Sequence, residues 1–384
     1  MKYSSVVCFA GGDWWYHHPH SYNHLMRQFA KEVKVLYVNS LPVGGVGGGK
    51  SSRRVLNKLK SAFRFFKRVD DKLFIFTPFF IPMKDSKFLL EVNSILLNIQ
   101  IGLLTFILNM RDPLFWITNP NGYIYLRKAG RRKTVYQVVD KVPAYRHAGK
   151  MTFEFDRKLS EEADLIFTPG RVLFEEKSTL FPSKSFRIRH GVDVGHFSAR
   201  SDSRPADFPS NGKKTFTYWG SIDYKKVDYD LLKFLSEKNT EYNILLIGRI
   251  FDFRVEDFLS CKSIFFIGEK SYEELKCYAS FSDGFLIPWD SRDEMNRNAS
   301  PIKLREYLST GKPIVATYIP EFEEFKDLIY ISKDKEDFLN NLKKASSENS
   351  PAMQNKRIDS VKENSWRKIY EEIDSRITGF NNRR

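Results

Sequence analysis

Asn298-Ala-Ser-Pro-Ile-Lys-Leu-Arg-Glu-Tyr-Leu-Ser-Thr-Gly-Lys-Pro-Ile-Val-Ala-Thr317 reads as a capped helix feeding a buried strand, and its reading decides the fold. Ser300 is a good N-cap residue, and Pro301 suits a first helical position because its missing N–H has no intrahelical acceptor there. A first turn built from Ser300, Pro301, Ile302 and Lys303 leaves backbone N–H groups unpaired. With the helix dipole they form an anion site, and Lys303 adds a full positive charge. Glu306 follows three residues later on the same side, where a carboxylate can accept hydrogen bonds from a ribose diol while the helix start holds a diphosphate. Gly311 stops the helix, and Lys312-Pro313 opens the next strand. A plain amphipathic helix with Ile302, Leu304, Tyr307 and Leu308 in the core explains the cap and the stop equally well. The whole string, with its lysine and glutamate, is more specific than that.

Working outward, apolar runs of strand length alternate with amphipathic runs of helix length. The first half predicts strands at 5–10, 33–38, 73–77, 114–118, 135–139, 165–168 and 186–189, with helices at 20–31 and 152–163. After a polar stretch, 198–214, carrying Pro205 and Pro209, the pattern restarts. Strands are expected at 215–219, 244–247, 264–267, 284–288 and 314–317, and helices at 229–237, 272–279 and 301–309. A last helix is expected at 365–377. Strands apolar on both faces and separated by helices imply α/β architecture with parallel sheets. The expected domains are an N-terminal Rossmann-like domain (1–190), a linker (191–214), a C-terminal Rossmann-like domain (215–360) and a closing helix (361–384) that packs back on the first. Ligands of such sheets bind beyond the carboxyl ends of the strands, in a crevice between the halves.

Two domains of ordinary size fit 384 residues. The surplus of 62 basic over 47 acidic residues, a net charge of +15, favours anionic partners. Cys8, Cys261 and Cys277 are far apart and in no metal-ligand spacing, in keeping with a reducing compartment. The N-terminus does not have the pattern of a signal peptide, and the apolar stretch 95–110, broken by Asn98, Gln100 and Asn109, predicts a buried helix rather than a membrane span. Gly44 to Gly49 is a glycine-rich loop without the context of a phosphate-binding P-loop, and the dinucleotide fingerprint Gly-x-Gly-x-x-Gly is absent.

The string from Ser300 to Pro313 resembles the donor-binding helix of family-4-type GT-B glycosyltransferases, above all bacterial enzymes of exopolysaccharide and cell-envelope synthesis. His190-Gly-Val-Asp193 with Phe197, Gly220-Ser-Ile-Asp223, Tyr272-Glu-Glu-Leu275 and Asn364-Ser-Trp366 are similar to further motifs of that family, in the same order. The resemblance implies a GT-B fold of two Rossmann-like domains and transfer of a sugar from a UDP- or GDP-linked donor. It places Glu306 on the ribose and Ser300, Lys303 and Gly220 around the diphosphate. Many family members carry two glutamates with seven residues between them; here Asn298 stands at the first position, which leaves the retained anomeric configuration that the family implies unsupported by a charge.

Other residues fill out the expected site. Gly11-Gly12 follows the first strand, where glycine permits close backbone approach; in the family this loop lies near the donor phosphates and the acceptor. Arg249, at the end of the second strand of the second half, is a further phosphate partner. Asp140 ends a strand where a base for the acceptor hydroxyl belongs. His17, His18, His20 and His24 gather four of the seven histidines; His20 is a candidate for acceptor contact or acid–base work. His20 and His24 have the i, i+4 spacing of metal ligands but no glutamate between them in the metalloprotease arrangement. Asp228-Tyr-Asp230 looks like a metal-binding Asp-x-Asp, yet it falls at a helix start where acids complement the dipole, so no metal or other cofactor is expected.

The segment 50–68 carries eight basic and no acidic residues interleaved with apolar ones, a basic amphipathic helix suited to an anionic membrane surface. No nucleic-acid recognition motif accompanies the charge, and nucleic acid is not an expected partner. The expected protein is a cytoplasmic glycosyltransferase, peripheral to the membrane, acting on a glycan, lipid-linked or small-molecule acceptor. The competing readings are a nucleotide-sugar epimerase of the same fold and a degenerate, non-catalytic GT-B scaffold.

Overall fold

The structure is a computed structural model that describes residues 2–15, 19–41, 65–83, 86–144, 149–199 and 201–380. The chain divides into two compact units, Met1–Arg189 together with Trp366–Arg384, and His190–Ser365.

In the first unit the strands are β1 (Ser5–Phe9), β2 (Lys34–Val38), β3 (Phe66–Asp70), β4 (Leu73–Phe76), β5 (Pro113–Ile117), β6 (Thr134–Gln137), β7 (Leu165–Thr168) and β8 (Ser185–Arg187). They form one sheet in the order β3-β4-β2-β1-β5-β6-β7-β8, parallel except for the β3–β4 pair. The helices are α1 (Ser21–Glu32), α2 (Lys87–Ile107), α3 (Tyr123–Ala129), α4 (Lys150–Glu162) and α5 (Arg171–Leu180). Strand β1 is central, with Val7 between Leu36 and Phe115, and all five of its residues are buried, as a strand covered on both faces requires. Each fully buried side chain of this kind contributes about 1.5–3 kcal/mol. Trp116 is fully buried because its one polar atom is satisfied: its indole N–H donates to Gln137 Oε1 at 2.8 Å.

In the second unit β9 (Thr215–Trp219), β10 (Asn243–Ile247), β11 (Ile264–Phe266), β12 (Gly284–Ile287), β13 (Ile314–Thr317) and β14 (Tyr330–Ser332) form a sheet in the order β11-β10-β9-β12-β13-β14. Every pairing in it is parallel. Around it lie α6 (Val194–Ser198), α7 (Tyr229–Lys238), α8 (Tyr272–Phe281), α9 (Glu294–Arg297), α10 (Ile302–Ser309), α11 (Lys335–Ser347) and α12 (Pro351–Lys362). The stretch 191–214 belongs to this unit, with Phe208 buried against Tyr278 and Phe281 and Asp207 paired to Lys270 at 2.5 Å. The last helix, α13 (Trp366–Gly379), belongs to the first unit, where Trp366 stacks on His24 at 4.6 Å and Tyr370 meets Phe29 edge to face.

The structure corrects four expectations. The apolar stretch 95–110 is helical, but it is the latter part of the longer α2, and that helix is not buried all round: Ile95, Ile99, Leu103 and Phe106 are exposed. The expected basic helix over 50–68 ends in a strand, because Phe66 to Arg68 pair antiparallel with Phe74 to Phe76 in β4. Residues 50–64 of that segment, like the glycine-rich loop and His17 and His18, lie outside the described residues. Strands β3 and β14 stand at opposite edges of their sheets, where only one neighbour has to be satisfied, and short edge strands carry little apolar signal. Ser300 does not cap α10. Pro301 occupies the N-cap position, and Ser300 Oγ instead donates to Glu321 Oε1 at 2.6 Å. Glu321 and Arg305 form a fully buried ion pair at 3.7 Å, and such a pair needs every neighbouring hydrogen bond it can recruit.

Candidate functional site

The string that opens the sequence reading lies at the carboxyl edge of the second sheet. Helix α10 is fixed there by aromatic packing: the Tyr307 ring stacks on Phe285 at 4.4 Å and meets Trp219 edge to face at 4.5 Å. The Tyr307 hydroxyl also accepts the Trp219 backbone N–H at 3.0 Å. Gly311 ends the helix with a φ of +74°, which favours glycine. Lys312 has a structural task, since its ammonium donates to the carbonyls of Ala279, Ser280 and Ser282 at the end of α8.

On the other side of the helix, Glu306 is 8% exposed and accepts the indole N–H of Trp219 on Oε2 at 2.8 Å. Burial raises its carboxyl to about 7, against the lowering effects of the Trp219 hydrogen bond and the Lys303 charge. Lys303 Nζ lies 4.5 Å over the Tyr218 ring and 5.1 Å from the Trp289 ring, and donates to the Tyr218 hydroxyl at 3.3 Å. Burial, then repulsion from Lys226, lowers the Lys303 ammonium to about 7. Lys226 Nζ itself stands 4.1 Å over the Trp289 ring, so one indole has two ammonium groups beside it. Two ammonium groups beside one carboxylate suit a ligand that brings negative charge.

Glycines make room for this cluster. Gly220, directly after β9, has a φ of +142°, and a side chain there would run into Lys303 Nζ. Gly248, directly after β10, has a φ of +153°, and its Cα faces the Gly220 carbonyl so closely that no Cβ fits.

The remaining expected donor residues are placed as follows. Ile302 begins α10 behind Pro301, and no side chain caps the helix start. Asn298 terminates α9, where its amide donates to the Glu294 carbonyl at 2.8 Å. Arg249 follows Gly248, but its guanidinium lies 4.5 Å over the Phe251 ring, and its backbone carbonyl accepts the Ile222 N–H. Ser300 is held in the buried Arg305–Glu321 network. Asp228 caps α7 by accepting the Leu231 N–H at 3.0 Å, and Arg292 pairs with Asp228, Asp230 and Asp290.

In the first unit, Gly12, His20 and Asp140 gather around one tyrosine. His20 sits at the N-cap of α1 and stacks on the Tyr22 ring at 5.0 Å. Burial and then the Asp140 charge hold the Tyr22 hydroxyl well above its usual value, and the Gly12 backbone acts on the same hydroxyl. Gly12 also accepts the Tyr37 hydroxyl at 2.9 Å. His20 and His24 stack on different rings, Tyr22 and Trp366. Among the described residues no three His, Cys, Asp or Glu side chains are grouped to hold a metal ion.

Sequence reasoning missed Tyr218, Trp219, Lys226 and Trp289. Two of these have a signal. Trp219 is the last residue before the glycine that ends its strand, and Lys226 sits six residues after Gly220 in a turn folded on Asp223, whose carboxylate accepts the Lys226 N–H. Tyr218 and Trp289 look like core aromatics, and only packing brings them to Lys303.

No family model matches the chain. It is 24% identical over 171 residues to TuaH of Bacillus subtilis, described as a teichuronic acid biosynthesis glycosyltransferase; the match spans 42% of each chain, less than half the length of that relative. Among solved structures, sucrose-phosphate synthase from Thermosynechococcus elongatus superposes with a TM-score of 0.73 at 12% identity, covering 99% of this chain and 100% of the other. Anabaena HepE in complex with UDP-glucose gives 0.64 at 11% identity, covering 98% and 100%. The Escherichia coli trehalose-6-phosphate protein bound with UDP-2-fluoro glucose gives 0.68 at 10% identity, covering 97% and 99%. Two parallel-dominated sheets and matches over the full length agree: the chain has the GT-B fold of glycosyltransferases.

Proposed function

We propose that this protein is a glycosyltransferase of polysaccharide or cell-envelope synthesis that binds a nucleotide-sugar at the carboxyl edge of its second sheet. One observation carries the reading: Glu306, buried and held by the Trp219 indole, stands beside a half-buried Lys303, and Lys226 shares the Trp289 ring with that lysine. In this reading the Glu306 carboxylate accepts the ribose hydroxyls, and Lys303 with Lys226 meets the diphosphate. The two ammonium groups stabilise the charge that builds on the leaving diphosphate as the glycosidic bond breaks. UDP is the favoured nucleotide, because similar folds bind UDP and UDP-glucose.

We assign removal of the acceptor hydroxyl's proton to Asp140, with His20 and Gly12 beside it at Tyr22, and we take the acceptor to be a glycan, a lipid-linked sugar or a small molecule. Because protein cations meet the phosphates, we expect turnover without an essential divalent ion. The three cysteines are free thiols, in keeping with a cytoplasmic reaction.

Thermal shift with UDP, GDP and ADP, followed by UDP release from candidate UDP-sugars with and without acceptor, tests the proposal. A ligand that prefers the native state raises the melting midpoint. The expected outcome is a shift with UDP that Glu306→Ala removes, and acceptor-dependent UDP release that Asp140→Asn abolishes without weakening UDP binding. A wild-type protein indifferent to every nucleotide would overturn it.

A further inference from the structure

Helix α2 is apolar along its length and exposed along one side. Its 21 residues have a mean hydropathy of 1.6 in the best window, yet only 28% of that window is buried. Between Glu91 and Arg111 the sequence has no charged residue. At about 100° per residue, Phe88, Ile95, Ile99, Leu103 and Phe106 fall within one narrow stripe running the whole helix. All five are exposed: Phe88 is 74%, Ile99 62% and Phe106 84% exposed. The opposite face, with Leu90, Asn93, Ser94, Leu97 and Ile101, is buried in the domain. Phe79, also exposed, adjoins the stripe on the flank of Gln100, whose amide bonds its backbone N–H and carbonyl at 2.8 and 2.9 Å. Contiguous apolar surface of this extent is unusual on a protein that meets only water.

Polar ties show that the helix lies on the domain rather than leaving it. Asn93 exchanges two hydrogen bonds with the Ile81 backbone, and Asn98 donates to the Tyr125 carbonyl at 2.9 Å. The charges bordering the stripe are mainly positive. Exposed Lys87 and Arg111 stand before and after it, and Arg127 and Lys128 reach in from α3 to the single acid of the helix, Glu91. Beside the first turns of α2 a hollow of about 530 Å³ is lined by Lys87, Arg127, Lys150 and Lys158 against Glu91 and Glu154.

We propose that α2 is a membrane-docking helix, lying in the plane of an anionic lipid surface with Phe88, Ile95, Ile99, Leu103 and Phe106 in the boundary between headgroups and acyl chains. An apolar face with a cationic border is the pattern of an interfacial helix. The stripe offers no hydrogen-bonding side chain to fix the register of a protein partner. A second copy of the chain packed on it would bring the same cationic border against itself. The assignment rests on exposure and charge in the first unit alone, and is independent of the donor site.

Flotation of the full chain with vesicles of phosphatidylglycerol and phosphatidylcholine in equal parts tests it. The wild-type protein should float, less with phosphatidylcholine alone and less in high salt. Ile99→Glu with Phe106→Glu should lower the bound fraction at least tenfold while leaving the melting midpoint and UDP binding unchanged; Ile99→Leu with Phe106→Leu should still float. A wild-type protein that stays in solution, or a charged variant that floats like wild type, overturns the proposal. So does a charged variant that melts earlier, which means the stripe is covered by the chain itself. A wild-type dimer that the charged variant splits, with no vesicle binding, assigns the stripe to a second copy instead.

Discussion

Trp219 Nε1 donates to Glu306 Oε2 at 2.8 Å, a buried bond between the last residue of β9 and helix α10. The indole is itself held, stacked on Phe197 at 5.6 Å and edge to face with Tyr307 and Phe285. A buried carboxylate with a fixed donor cannot turn away from the site. Trp219 is therefore a positioning residue for Glu306.

Replacing it with phenylalanine keeps the aromatic packing and removes only the donor. A hydrogen bond to a charged group contributes about 1.5–3 kcal/mol. Trp219→Phe should weaken UDP binding roughly tenfold or more by calorimetry, with little loss in circular dichroism. Unchanged affinity would show that Glu306 is placed by other contacts.

Lys303→Met separates binding from stability. The methionine keeps an apolar stem between Tyr218 and Trp289, while the ammonium that burial and Lys226 disfavour is gone. The free variant should melt at the same temperature as wild type or higher at pH 6. Its UDP affinity should fall roughly ten- to a hundredfold, the size of a lost charge-assisted bond. A variant that binds UDP normally would remove Lys303 from the diphosphate site.

The same two groups give the ligand-free protein a definite pH profile. Glu306 is raised from 4.5 to about 7, so between those values the native state keeps a proton that the unfolded chain has lost, and stability declines as pH rises. Lys303 is lowered from 10.5 to about 7, so above pH 7 the unfolded chain holds the extra proton and stability climbs with pH. From these groups the melting midpoint should dip near pH 7, with Glu306→Gln flattening the acid limb and Lys303→Met the alkaline one. Limbs that neither substitution alters would contradict the assignment.

Proton exchange on binding should reverse sign across that pH. At pH 8 Glu306 is mostly ionised and Lys303 mostly neutral, so an arriving diphosphate draws a proton onto Lys303. At pH 6 Lys303 is already charged, and hydrogen bonds from the ribose favour loss of the Glu306 proton. UDP titrations in buffers of different ionisation enthalpy should report uptake at pH 8 and release at pH 6. Equal exchange at both would mean that neither group meets the nucleotide.

The two glycines beside the site should fail in different ways. Alanine at Gly248 meets the backbone of Gly220, which cannot yield, so Gly248→Ala should lower the melting midpoint by several degrees. Alanine at Gly220 carries the same positive-φ strain, but the atoms it meets are the flexible end of Lys303 and the Tyr218 hydroxyl rather than backbone. It should lower the melting midpoint less than Gly248→Ala does, and weaken UDP binding as well. Equal loss of stability in both would argue against this separation.

The α/β class, most strand positions, and the stretch from Ser300 to Pro313 were legible in the sequence because they are local. Burial on both faces writes an apolar run into each parallel strand, and a helix start and stop write proline and glycine at fixed offsets. Glu306 and Lys303 could be named because a lysine in the first turn of a helix and a glutamate three residues on repeat the spacing of a donor-binding helix. Only the tertiary structure decided what surrounds them. Tyr218, Trp219, Lys226 and Trp289 come from three other segments, and no spacing along the chain says that their rings and ammonium will converge on α10. It likewise decided that Ser300 serves a buried ion pair rather than the helix cap, since a hydroxyl goes to the costlier unsatisfied group. And it decided that half of an apolar helix faces outward, because periodicity records how apolar each side of α2 is and not what stands against it.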